Sequence, residues 1–257
     1  MPPPRPGDLR APEKQAPDVK GSPIDLDIPT PPPRPGDLSS PAVPQSPEAA
    51  APAPAPVPPE ELEKDAATCR QLLDSGTVVA HVIAPIRGPG ECGIAAPVSL
   101  EAIVIGDKRV ALDPAPSIRC DLAATLARWI IEDVDPALSA QGLRLERVTN
   151  ANAYSCRSRN HVFGAKLSEH GKGNAIDLDS LIVSPARRIN LTAPESAPLA
   201  TLLKTSACAR FATVLGPGSD GYHNSHIHVD LEDRRSHGAL CQWNLTPAGP
   251  EAPAAKP

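Results

Sequence analysis

Apolar and polar positions along the chain change rhythm near residue 60. From there EELEKDAATCRQLLDSG leads with acidic residues and repeats apolar ones at helical spacing, which predicts a helix stopped by Gly76. TVVAHVIAPI and VSLEAIVIGDKRVAL are rich in β-branched residues and predict strands, punctuated by Pro85, Pro97 and the Gly106-Asp107 pair. Over residues 120 to 133, Leu122, Leu126, Trp129 and Ile130 fall on one helical face, as the main core helix would require. LRLERVTN at 143 to 150 alternates like a strand, as do NAIDLDSLIV and HIHVDL, and a helix is expected within 196 to 214, ahead of the GPGSDG turn. Strands and helices mix without a regular βαβ alternation. The expected class is therefore α+β, a compact and mostly antiparallel sheet with flanking helices.

Before residue 60 no such rhythm exists, and composition explains why. Of 34 prolines, 20 precede Glu60; the octapeptide PPPRPGDL occurs at 2 to 9 and again at 31 to 38, and PAPAPVPP follows at 52 to 59. Proline fixes φ and removes an amide donor, so residues 1–59 read as an extended, disordered arm or linker, with docking to a proline-binding partner as the rival reading. Residues 60–246 read as the folded domain and 247–257 as a disordered tail. A net charge of -5 and six aromatic residues in the whole chain leave no basic groove with stacking platforms, which argues against nucleic acid as a partner. No apolar run approaches the ~18 residues of a membrane span.

The six cysteines, Cys69, Cys92, Cys120, Cys156, Cys208 and Cys241, all lie in the folded part and none forms a CxxC pair. That pattern favours three disulfides over a thiolate metal site, with buried free thiols as the bland alternative, and the connectivity stays open among fifteen. Disulfides imply an oxidising compartment, the periplasm or cell envelope. The opening MPPPRPGDLRAPEK has neither the basic nor the apolar segment of a secretory leader. Either a leader lies upstream, or it has been removed, or the protein is cytoplasmic; the cysteines favour the first two.

Chemistry concentrates in two stretches. If HIHVDL is a strand, His226, His228 and Asp230 share one face while Ile227, Val229 and Leu231 pack on the core. In SEHGKGNAID, His170 and Asp177 are seven residues apart, which a continuous strand would put on opposite faces over ~20 Å apart. Gly171 and Gly173 make a helix improbable but suit a hinged loop that folds back after His170 and enters a strand carrying Asp177 inward. His170, Asp177 and one histidine of the pair would then supply three ligands to zinc and leave one tetrahedral position open, the composition of a catalytic site. Ser168 is read as positioning that loop rather than as a nucleophile. Asp179 and Asp230 are read either as acceptors for imidazole N–H groups or as strand-end carboxylates, and His223 as a neighbour that gates the cluster. His81, His161 and His237 are read as ordinary histidines.

SxHxxGxAxD is matched in full by Ser168, His170, Gly173, Ala175 and Asp177, and with the downstream HxH it resembles zinc peptidases of the D-alanyl-D-alanine carboxypeptidase and murein endopeptidase type. The set AYSCR, LSEHGKGNAIDL, CARFATVLGPG and HNSHIHVDL is more closely similar to the bacterial extensin-like C-terminal domain family, over roughly residues 65 to 243. The resemblance implies the hedgehog-like zinc peptidase fold and a peptidoglycan peptide as substrate. It implies His170, Asp177 and His228 as metal ligands, His226 as the catalytic histidine, and Arg157 near the scissile carbonyl or a substrate carboxylate. A structural role in the disulfide-bearing loop is the rival for Arg157. The dipeptidase branch has a glutamate where this chain has Ser225, which favours an endopeptidase-like mode. The expected activity is thus hydrolysis of amide bonds in stem peptides or cross-links; the alternatives are a non-catalytic zinc-containing peptidoglycan-binding module and a structural wall protein.

Overall fold

The computed structural model describes residues 59–246 except 186 and 235–237; the expectations for the arm, the tail and His237 lie outside the described residues. α1 (Pro59–Asp74) leads into β1 (Val78–Val82), a short hairpin of β2 (Ile86–Arg87) and β3 (Gly93–Ile94), then β4 (Pro97–Ile105), β5 (Lys108–Asp113) and β6 (Ser117–Arg119). α2 (Cys120–Trp129) continues through a π-turn (Ile130–Val134) into α3 (Asp135–Ser139) and β7 (Arg144–Asn152). After two 3₁₀ turns, Arg159–His161 and Glu169–Lys172, come β8 (Ala175–Ser184), β9 (Arg187–Asn190) and α4 (Ala197–Arg210). β10 (Thr213–Leu215), β11 (Ile227–Asp230) and β12 (Leu240–Gln242) close the chain.

The main sheet runs β1-β4-β5-β7-β8-β11-β10-β12, with β6 added to β4 and β9 to β8. Among the described residues only β5 with β7 and β10 with β12 pair in parallel, so this is the mixed α+β fold with a mostly antiparallel sheet. β4 and β5 form a hairpin across the Gly106-Asp107 pair expected to punctuate the strands, and Gly106 takes the positive φ (+62°) that a two-residue turn demands. Leu122, Leu126, Trp129 and Ile130 are all fully buried, as their helical spacing requires. The helical path runs past the expected end at 133 because Pro136 falls in the first turn of α3, where its missing N–H costs least. Trp129 Nε1 donates to Ser206 Oγ at 3.0 Å and meets Phe211 edge-on at 5.8 Å between centroids, fixing α2 against α4 and the chain that follows it.

All six cysteines pair: Cys69 with Cys120, Cys92 with Cys156, and Cys208 with Cys241. The first ties α1 to α2 and the third ties α4 to β12. The second joins the β2–β3 loop to the segment before Arg157. Each closes a loop of 33 residues or more, which restricts the unfolded chain.

Candidate metal centre

The site is built where β8 lies beside β11. Their antiparallel register sets His228 directly opposite Asp177, with Ile227 opposite Leu178 and Val229 opposite Ile176. Alternation then sends the aliphatic side chains to the core and Asp177, His228 and Asp230 to the other face. His170 arrives from the 3₁₀ turn Glu169–Lys172. Ser168 caps that turn, its Oγ accepting from the His170 amide at 3.4 Å. Gly173 ends it in the left-handed region (φ +64°), and a Cβ there would sit 2.1 Å from Ile94 Cδ1. The expected fold-back is thus one capped turn and a glycine with no room for a side chain.

Three ligand atoms converge. His170 Nε2 lies 3.1 Å from Asp177 Oδ1 and 3.1 Å from His228 Nδ1, and the last two are 2.9 Å apart. Zinc bonds of ~2.05 Å at the tetrahedral angle would set ligand atoms about 3.3 Å apart, so a small outward relaxation accommodates the ion. The outer nitrogens settle the tautomers: His170 Nδ1 donates to the Ala153 carbonyl at 2.5 Å, and His228 Nε2 donates to Asp230 Oδ2 at 3.0 Å. Both acceptors fix the rings so that the remaining nitrogen faces the cluster, where it donates to Asp177 while protonated and would offer its lone pair to a cation once the proton leaves. His170, Asp177 and His228 are 1 %, 4 % and 8 % exposed, a burial that three polar groups tolerate only when they satisfy one another or hold a cation. Two imidazoles and a carboxylate form a borderline-soft donor set that fits zinc.

Charge in the metal-free cluster is shared. Burial pushes the Asp177 carboxyl up, but hydrogen bonds from His170 and His228 outweigh it and hold the group far below the usual carboxylate range. Burial pushes His228 down, yet Asp177 and Asp230 raise it to about 9. His226 is different. Its Nε2 stands 3.5 Å from Asp177 Oδ1, and burial with the nearby imidazoles lowers its pKa against the pull of Asp177, which favours the neutral ring.

Around this group, His223 stacks edge-on at 5.3 Å from the His226 ring and 5.5 Å from that of His228. Asp220 Oδ1 accepts from His223 Nδ1 at 2.6 Å. Asp179 is turned to other partners, Thr149, Ser180 and Arg188. Arg157 follows the Cys92–Cys156 disulfide; its carbonyl accepts from the Ser168 amide at 3.0 Å and its Nη1 from guanidinium reaches the Ser158 carbonyl at 3.4 Å. His81 pairs with Glu101 on the exposed part of β1, away from the cluster.

Residues 67–242 match the family described as Extensin-like protein C-terminus. The chain belongs to that family. No curated protein and no solved structure matches it. Within this extensin-like domain, no helix among the described residues is long and apolar enough to cross a membrane. Two contributors escaped the sequence reading. Ala153 acts through its carbonyl, for which side-chain chemistry gives no signal. Asp220 did carry one: an Asp-Gly pair three residues before His223, whose Oδ1 also accepts from the Tyr222 and His223 amides as in an Asx turn.

Proposed function

We propose that the domain is a zinc-dependent hydrolase of amide bonds in peptidoglycan stem peptides or their cross-links, acting in the periplasm or cell envelope. The observation that carries this reading is the convergence of His170, Asp177 and His228 on one point with the His226 imidazole beside it. Zinc held by His170 Nε2, Asp177 Oδ1 and His228 Nδ1 would act as a Lewis acid and lower the pKa of water. His226 Nε2 takes the proton of the attacking water and returns it to the leaving amine. Ser225 Oγ lies 3.3 Å from His226 Nδ1 and holds the ring in place. Arg157 binds a carbonyl or carboxylate oxygen of the peptide, to which a guanidinium fork is well matched. Asp230 and the Ala153 carbonyl keep the two ligand rings oriented.

A second reading is favoured by how deeply the three ligands lie: a non-catalytic zinc-containing module that grips wall peptides without cutting them. One experiment separates the two. Zinc-loaded protein is incubated with defined cross-linked muropeptides and the products are identified by mass. Hydrolysis predicts new amine and carboxyl ends, with release by His226→Ala reduced by about 10²–10⁴-fold at unchanged zinc content. Retention on sacculi with no soluble product leaves the binding module, and equal release by wild type and His226→Ala removes the catalytic role of that histidine.

A further inference from the structure

A cleft of roughly 980 Å³ shares the Glu169–Lys172 turn with the metal centre but is lined by none of its three ligands. Its wall includes Arg87, Glu91, Glu169, Lys172, Asn174 and Asp233. Two of these are deeply buried, Glu169 at 5 % and Asn174 at 6 % exposure. Asn174 Nδ2 donates to Glu169 Oε2 at 2.7 Å, which fixes the amide, since a flipped group would set its carbonyl against a carboxylate. The Asn174 Oδ1 atom is then a buried acceptor without a hydrogen-bond partner, a condition native interiors seldom carry without a reason.

The other carboxylate oxygen of this pair shows what it receives. Glu169 Oε1 accepts from Lys172 Nζ at 2.9 Å, and the Lys172 side chain is 42 % exposed at the cleft. Glu169 is thus already paired with one primary ammonium, while the carbonyl of the amide bonded to it has no donor. An ammonium has three donors, enough for both groups, whereas Lys172 is tethered three residues away on the same turn. Of the acidic side chains that line the cleft, Glu232 is already paired with Arg159 and Arg234, so the carboxylates offered to a cation beside Glu169 are exposed Glu91 and Asp233. Exposed Arg87 offers the opposite charge on the same wall.

We propose that this cleft binds a peptide through a free primary ammonium, which takes the place of Lys172 at Glu169 and donates to Asn174 Oδ1, while Arg87 receives a carboxylate of the same peptide. The inference goes beyond the hydrolysis proposed above and needs neither the metal nor cleavage.

The test is calorimetric titration of the full chain with the peptide Ac-Ala-Ala-Lys-Ala and with the same peptide acetylated at the lysine amine. Saturable binding that acetylation weakens at least tenfold is expected. Lys172→Met should tighten it several-fold by removing the internal competitor, a direction that general damage would not produce. Glu169→Gln should weaken it about tenfold; should that buried variant fail to fold, the exposed Asp233→Asn and Glu91→Gln changes each lower affinity two- to threefold. No saturable binding, equal binding of the acetylated peptide, or no gain with Lys172→Met overturns the proposal. Binding without cleavage of muropeptides leaves the cleft standing and removes the hydrolase, and cleavage without amine binding does the reverse.

Discussion

The two halves of the main sheet bury themselves by different means. In β4 and β5 the inner face is aliphatic: Val98, Leu100, Ile103 and Val110 are fully buried against the helical layer. β8 and β11 bury both faces, Ile176, Leu178, Ile227 and Val229 on one side and Asp177, His228 and Asp230 on the other. The first face is held by removal of apolar surface from water. The second is held by charge and hydrogen bonds, and aliphatic side chains of similar volume would often do as well or better for stability alone. A polar face kept under those terms points to chemistry rather than to folding.

That contrast can be broken at several points. The largest effect is expected from Asp177→Ala, which leaves His228 buried with one of its two carboxylates gone. It should cost about 3–5 kcal/mol in metal-free protein by urea denaturation and abolish stoichiometric zinc by elemental analysis. Leu126→Ala in α2 should cost about 2–5 kcal/mol through a cavity yet leave zinc content unchanged. If both variants lose zinc equally, the two halves are not independent.

Next comes pH. The raised pKa of His228, about 9 against an ordinary 6.5, means that its pairing stabilises the metal-free fold fully below about pH 6.5 and is lost as pH rises through 9. The depressed Asp177 is the same interaction seen from its partner: it contributes above its ordinary 3.8 and is lost as pH falls through the folded value. Denaturation of chelated protein at pH 5, 7 and 9.5 should show weakening at the last value. At pH 7 zinc should displace about one proton, read by calorimetry in buffers of different ionisation enthalpy.

Asp230→Asn, which removes the charge that orients His228, should weaken zinc binding about 10–100-fold by competition with a chelating dye. The smallest effect belongs to Glu101→Gln beside His81, where both side chains are more than half exposed; stability should move by less than ~0.5 kcal/mol.

Long elements were legible in the sequence because enough turns or alternations fit inside them. The helix at 120 and the strands at 143 and 174 appear where periodicity put them, within a few residues. β6, β9, β10 and β12 have three or four residues each, too few alternations to stand out from loop. At the site, alternation alone placed His226, His228 and Asp230 on one face, and the two glycines gave the fold-back at His170. Periodicity had no means of choosing between the two histidines of the pair; the cross-strand register, which puts residue 228 opposite Asp177, brings that imidazole into the cluster. Nor did side-chain alternation say that Asp179, two residues from Asp177, would turn to Thr149 and Arg188.

Residue 170 and residue 228 are separated by 58 positions, and the polypeptide between them makes three strands and a helix before the second imidazole arrives. A nascent or unfolded chain therefore offers an ion no assembled cage. Were an ion held there, its loading would be a late event that reports completed assembly.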